Sequence, residues 1–448
     1  MSKIVEMNRR RFLKSVGMAA LAGGAGGGSL LASPSAVAAE GQRPRSIDFD
    51  ELYDRVGSNC YKWDAQIAKF GEEYFDVGMG IADMDFRVAP AVTEALQERV
   101  AHENWGYMHN QDGLREAAAL WSAERHGVEV DPSSLQIAAG VHPGLIAALH
   151  AISPPGSKVL LMTPTYNGFY SDLEWTRTLP NESHLYKDRN GVFHVDWDDL
   201  EARMTPDTHA MLLCNPQNPT GNCWSREDLL RIGELCLKHE IVVLADEIHC
   251  DFVMKGQTYT PFASLGERDI VDNSLTFKAI SKTFSLAGMK NAYWFSTNPV
   301  LTERVKKWHR ADINTLGVVA NEAAYREGGP WFDQLLGYID GNHDFAETFI
   351  AERIPRMRYR KAQGTYLAWV DLSDVMTALG AEERAAREGA ESAEHWFERW
   401  LVMNTGVQLN PGIDYGPNGT GHMRMNLGTP RPLIEEALKR LERTFASV

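Results

Sequence analysis

Short β-rich apolar runs alternate with helical segments through the middle of this chain, and no other feature constrains its fold as strongly. Lys158–Met162, Ala210–Cys214 and Ile241–Ala245 read as buried strands, and Ser274–Phe277 and Ala292–Phe295 continue the series. Between the second and third lies an amphipathic segment, Arg226–His239. Ser225 opens it, with Glu227 and Asp228 in the first turn, the signature of a capped helix start. Helical periodicity appears earlier at Pro90–Val100 and Leu114–His126. Strands alternating with helices predict an α/β fold: a mostly parallel central sheet sandwiched by helices. Such sheets bind ligands at the carboxyl ends of their strands. The residues that follow each run are therefore the first place to look for chemistry.

Beyond about Thr315 the pattern changes to longer helices, Trp331–Arg353, Ser392–Val402 and Pro432–Phe445. Short strands are interspersed at Tyr366–Val370, Val407–Leu409 and Met423–Asn426, which predicts a smaller α+β domain. We expect the large domain over residues 87–315 and the small one from 40–86 together with 316–448. The lead-in over 40–86 reads as irregular and ends in Gly80-Ile81-Ala82-Asp83-Met84-Asp85-Phe86; Ala381–Glu391 reads as a solvated helical face.

Residues 1–39 belong to a different regime. Asn8-Arg9-Arg10-Arg11-Phe12-Leu13-Lys14 opens an uncharged stretch, Ser15 to Ala39, that ends in Ala36-Val37-Ala38. A basic head, an apolar middle and small residues at −3 and −1 describe an export signal. The adjacent arginines resemble the twin-arginine type, which implies a periplasmic or secreted protein. The glycines between Gly17 and Gly28 make a poor spanning helix, and no other segment approaches the ~20 apolar residues a span needs. We therefore expect no stable membrane anchor after cleavage.

The chain is 44% hydrophobic and 23% charged, which suits a globular protein and excludes disorder. A net charge of −15, with no Lys/Arg cluster in the body, argues against nucleic acid and for a small-molecule ligand. Cys60, Cys214, Cys223, Cys236 and Cys250 show no metal-ligand spacing, so no metal is expected. Most read as core residues, and any disulfide pairing stays open.

Four strand-end motifs stand in order. Asn215-Pro216-Gln217-Asn218-Pro219-Thr220-Gly221 follows the Ala210 strand, and its prolines and glycine force a turn that presents an amide. Asp246-Glu247-Ile248-His249 follows the Ile241 strand. A carboxylate at the mouth of an apolar strand is costly without a cationic partner, such as a protonated pyridine nitrogen; capping of a following helix is the alternative. Ser281-Lys282-Thr283 follows the Ser274 strand. Burial of that lysine would lower its pKa and free the amine for Schiff-base work. His422-Met423-Arg424-Met425-Asn426 puts an arginine into an apolar strand, where either a ligand carboxylate or an internal acid would pair with it.

Together these motifs resemble the fold-type I, class I/II aminotransferase superfamily, from about Asp48 to the C-terminus. The resemblance implies pyridoxal 5′-phosphate as cofactor and Lys282 as the lysine that carries it. It implies that Asp246 keeps the pyridine nitrogen protonated and that His249 and Asn218 lie near the phenolic oxygen. Tyr166 would stack on the ring. Gly140-Val141-His142 would cradle the phosphate at a helix start, helped by Ser281 and Lys290. Tyr107 would reach the phosphate of a neighbouring subunit, implying a homodimer with a shared active site. Arg424, with Ala82 and Asn218, would meet the amino-acid substrate. Ala279 departs from the superfamily's usual Ser three residues before the lysine, which removes one phosphate contact. The Ala82–Phe86 segment, His249 and the Arg424 strand resemble the cystathionine β-lyase or C–S lyase branch. Lys290 stands where many aminotransferases carry Arg. The implied reaction is β-elimination from a sulfur-containing amino acid. Transamination, oxygen-dependent oxidation and a non-catalytic binding protein are the alternatives.

Overall fold

A computed structural model describes residues 47–448; residues 1–39, where an export signal is expected, lie outside them. Seven strands form one sheet in the order Gln136–Ala138, Ala292–Phe295, Ser274–Lys278, Val242–Asp246, Thr208–Cys214, Lys158–Thr163 and Leu179–His184. All neighbours pair in parallel except Ala292–Phe295, which is antiparallel to both of its partners. This is the mostly parallel α/β sheet the alternation predicts. Register aligns the ends of the three central strands: Cys214 pairs with Asp246, and Asp246 with Phe277. Three of the four motifs therefore leave the sheet side by side, although far apart in sequence.

Helices cover both faces. Val141–Ile152 packs so closely that a Cβ at Gly144 would sit 3.2 Å from both Phe277 and Trp294. It shares a core with Val159, Leu161, Leu212, Leu244 and Leu275. The opposite face buries Met211, Leu213, Val243 and Ala245 against Leu229, Ile232 and Cys236 of the helix Arg226–Lys238. Each buried Leu or Ile stabilises by about 1.5–3 kcal/mol relative to exposure. That helix begins as its sequence predicts: Ser225 Oγ accepts from Asp228 N–H at 3.0 Å, and the Asp228 carboxylate accepts from Ser225 N–H at 3.3 Å.

A second, antiparallel sheet runs in the order Leu367–Asp371, His422–Asn426 and Asn410–Pro411. Val77–Gly78 pairs in parallel with Val407–Gln408, so the lead-in joins the C-terminal part of the chain. The helix Gly329–Arg353 spans 25 residues and serves two cores. Trp331, Phe332, Leu335 and Ile339 pack toward the large sheet's helices, and Ala346, Phe349 and Ile350 under the small sheet.

Several elements differ from their sequence-based expectation. Gln136–Ala138 is three residues long and carries no period. Leu179–His184 is a polar edge strand, where Pro180 is tolerated because one side needs no ladder donor. The lead-in is not wholly irregular, since it includes the helix Asp64–Phe70. The Ala381 segment is a helix to Glu388 that buries Ala381 and Ala385 and stops at Gly389 in the left-handed region. All five cysteines are free thiols, and Cys214, Cys236 and Cys250 are buried.

Candidate active site

The strand ends open onto a cavity of about 500 Å³ lined by Gly140, Val141, His142, Tyr166, Asn218, Asp246, His249, Ser281, Lys282 and Lys290 among others. Ten residues singled out from separate motifs thus converge, because each follows a strand of one sheet or opens the helix packed on it.

Asp246 ends its strand buried, with Ile248 N–H donating to its Oδ1 at 3.1 Å. Burial outweighs that hydrogen bond and the nearby His142, and pushes its carboxyl up to about 6. Among the described residues no Lys, Arg or His forms an ion pair with Asp246; His142 and Lys282 act on it only through longer-range charge. His249 is also buried, and its Nδ1 has no hydrogen-bond partner. Burial, reinforced by the charges of Lys282 and Arg424, holds its imidazole well below the usual range, so the ring is neutral.

Lys282 reaches across the cavity wall and donates from Nζ to the carbonyl of Ala82 at 2.9 Å. Burial first, then the charge of Arg424, lowers its amine to about 8, while Asp83 and Asp246 pull the other way. Thr283 leaves this face and donates to Asp251 on the far side of the chain.

Arg424 lies on the strand His422–Asn426 and is 3% exposed. Its Nη1 donates to Asn218 Oδ1 at 3.2 Å and its Nη2 to the Gly80 carbonyl at 2.8 Å. Nε has no partner, and the guanidinium carbon stands 4.9 Å from the Tyr415 ring centroid. All of these partners are neutral. The internal acid that would have explained the arginine is not what it meets.

The Gly140 turn sits at φ 138°, a backbone conformation that favours glycine, and the helix starts at the next residue. The free N–H groups of its first turn have no intrahelical acceptor, an arrangement that suits an anion. The His142 side chain turns elsewhere: Nδ1 bonds the buried Asp172 at 2.8 Å, and Nε2 lies 3.2 Å from the Tyr166 hydroxyl. Asp172 draws the imidazole upward, against the desolvation that opposes it. Ser281 and Lys290 line the cavity, Lys290 in the left-handed region at φ 51°.

Tyr107 does not join its own chain's cavity. It is wholly exposed beside Trp105, Ile313 and Leu316. The acids of the Ala82–Phe86 segment are committed to structure: Asp83 pairs with Arg55 at 2.9 Å and Asp85 with the buried Lys62 at 2.6 Å. Sequence reading missed Asp172, Tyr366 and Asn426. Only Asn426 carried a signal, as a polar residue two positions from Arg424 on the same buried strand. His126, Cys250 and Asp251 bring ligand atoms within 4.8 Å of one another despite their sequence spacing. Asp251 is already hydrogen-bonded by Trp121, His126 and Thr283, which explains the cluster without an ion.

The model of the family aminotransferase class I and II matches residues 76–441. Cystathionine beta-lyase PatB of Bacillus subtilis (strain 168) is 36% identical over 407 residues, 88% of this chain and 99% of the relative. Protein MalY of Escherichia coli (strain K12) is 29% identical over 409 residues, 90% of this chain and 100% of the relative. Among solved structures, cystalysin from Treponema denticola, which contains pyridoxal 5′-phosphate, matches with a TM-score of 0.81 at 28% identity. The match covers 90% of this chain and 99% of that one. With a family match over most of its length and a 36% identical relative aligned nearly end to end, this chain belongs to the class I and II aminotransferase family.

Proposed function

We propose that this protein is a pyridoxal 5′-phosphate-dependent C–S lyase, splitting a sulfur-containing amino acid such as cystathionine or a cysteine S-conjugate into a thiol, pyruvate and ammonia. The observation that carries the cofactor assignment is the convergence of Lys282 and Asp246 on one cavity, an amine and a carboxylate both driven toward neutrality by burial. The likeness to cystathionine beta-lyase PatB and cystalysin supports elimination. The cavity's donors fit the cofactor. Asp246 lacks a cationic partner and would receive the pyridine N–H. The Gly140 helix start, Ser281 and Lys290 would hold the phosphate, and Tyr166 would cover the ring. His249 and Asn218 would flank the phenolic oxygen, and Lys282 would hold the cofactor covalently through its amine.

Bound there, the cofactor supplies an electron sink for the pair left behind when an amino acid loses its Cα proton. The protein's residues do the rest. Arg424 binds the substrate carboxylate with its free Nε edge, in a charge-assisted contact that only a buried, acid-free guanidinium leaves available. The Lys282 amine, once free, would take the Cα proton on Nζ, a task its lowered pKa suits near neutral pH. Asp246, as a carboxylate, would hold a proton on the pyridine nitrogen of a bound cofactor. With that sink in place the β-carbon–sulfur bond would break, the leaving thiolate would take up a proton, and water would hydrolyse the remaining enamine to pyruvate and ammonia. The similarity to proteins named cystathionine beta-lyase and cystalysin supports elimination over transamination.

The working unit is a homodimer in which Tyr107 serves the partner's phosphate. What supports this is the complete exposure of Tyr107 and its place outside its own cavity. Residues 1–39 direct twin-arginine export, a route that carries folded proteins and so lets the cofactor load before transport.

Borohydride reduction followed by peptide mass spectrometry tests the assignment. The pyridoxyl group is expected on Lys282. A label on Lys278 or Lys290 would overturn it.

A further inference from the structure

The backbone on both sides of the Ala82 carbonyl, and the carbonyl itself, are held by side-chain hydrogen bonds. Asn426, fully buried, donates from its single Nδ2 to Ile81 O at 2.6 Å and to Asp83 O at 2.7 Å, one residue on either side of Ala82. Its Oδ1 accepts from Gly428 N–H at 2.7 Å, which fixes the amide's orientation. Its backbone N–H donates to Met79 O at 2.6 Å. The Ala82 oxygen itself accepts from Tyr366 O–H and from Lys282 Nζ, both at 2.9 Å. Two residues back along the same strand, Arg424 Nη2 holds the Gly80 carbonyl at 2.8 Å. Residues two apart on a strand share a face. One strand face therefore carries both the substrate-carboxylate arginine and the clamp on the loop that receives the lysine.

We infer that Asn426 and Tyr366 are positioning residues that hold the Ala82 carbonyl as a dock for the Lys282 amine once the substrate has displaced it from the cofactor. This rests on the reading of Lys282 as the proton acceptor. The proton balance is direct. The Cα–H bond breaks, its electron pair passes into the substrate–cofactor system, and the proton goes to the neutral Nζ. The resulting ammonium donates one of its three N–H bonds to Ala82 O. The dock thus fixes where the base waits and favours the form that has taken up the proton. Arg424 grips Gly80 on the same loop, so the arginine and the dock are held to one stretch of backbone. A strongly placed acceptor matters here, since a displacement of about 1 Å at a catalytic group costs up to about 10²-fold in rate.

The test uses the holoenzyme of the wild type, Asn426→Ala, Asn426→Ser and Tyr366→Phe. Aminooxyacetate is added to take the cofactor from Lys282, and the freed amine is acetylated across a pH series, with mass spectrometry reading the extent at Lys282. In Asn426→Ala the amine loses its fixed acceptor, so labelling begins at lower pH than in wild type. With cystathionine, kcat falls about tenfold or more, KM stays within about twofold, and the isotope effect on α-deuterated substrate rises. Tyr366→Phe, which deletes one hydroxyl, moves all three readouts the same way by less, and Asn426→Ser, which keeps one donor, recovers part of the loss. Should Asn426→Ala fail to fold, Asn426→Ser and Tyr366→Phe give the answer by the same readouts. Unchanged labelling and an unchanged isotope effect in the folded variants would overturn the dock, whatever happened to kcat. An active Lys282→Ala holoenzyme would overturn the underlying reading instead, so the two failures are separable.

Discussion

Arg424 reaches Asn218 across 206 residues of sequence, Nη1 to Oδ1 at 3.2 Å, and meets no acid on the way. A guanidinium buried among neutral partners keeps its charge for something that arrives. We expect Arg424→Ala to raise KM by about tenfold to about 10²-fold, as loss of a charge-assisted contact worth ~1.5–3 kcal/mol implies. Steady-state kinetics with cystathionine measures it. A KM within about twofold of wild type would place the substrate carboxylate elsewhere.

Asp246 gives both a kinetic and a stability signature. Asp246→Asn cannot hold the pyridine proton, so kcat should drop by at least ~10²-fold while cofactor absorbance is largely kept. In cofactor-free protein the same change should stabilise. Burial raises the carboxyl from 3.8 to about 6, so between those values the folded chain holds a proton that the unfolded chain has released. Stability then falls as pH rises through that window and stays lower above it. Denaturant unfolding of cofactor-free Asp246→Asn at about pH 7.5 should exceed wild type by up to ~3 kcal/mol, an advantage lost near about pH 4.

Lys282 must be neutral to accept a proton, and burial with Arg424 lowers its amine to about 8. Turnover should therefore rise as pH climbs through about 8 and level off above it. Arg424→Met removes one of the two depressing influences and should shift that limb upward, toward the ordinary lysine range. A limb that stays in place would separate the kinetic pKa from Lys282.

The elements that could be read from sequence are those whose local chemistry is unambiguous. Buried apolar strands such as Thr208–Cys214 announce themselves, and the motif after each one falls at the cavity because register places the strand ends together. Leu179–His184 could not be read that way: an edge strand may be polar, and Pro180 looks like a breaker until its open side is known. The same limit governed the site. Lys282 and Asp246 stand out because a charged residue after an apolar run is costly. Asp172, Tyr366 and Asn426 act through partners distant in sequence, which periodicity does not reveal. His142 illustrates the difference within one residue, its place at the helix start legible and its bond to Asp172 not.

Export can be tested apart from catalysis. Replacing Arg9, Arg10 and Arg11 together by Lys should leave an unprocessed, cytoplasmic precursor, because adjacent arginines are what the transport receptor reads. Immunoblots of cell fractions measure it. Normal processing of the triple variant would remove the twin-arginine assignment.

Pyruvate release tests the central claim most directly. Purified holoenzyme, given cystathionine and no 2-oxo acid, should produce pyruvate, ammonia and a thiol in equal amounts through many turnovers, and Lys282→Ala should produce none. Turnover that stalls after one equivalent and resumes only when a 2-oxo acid is added would contradict the lyase reading and identify the protein as an aminotransferase.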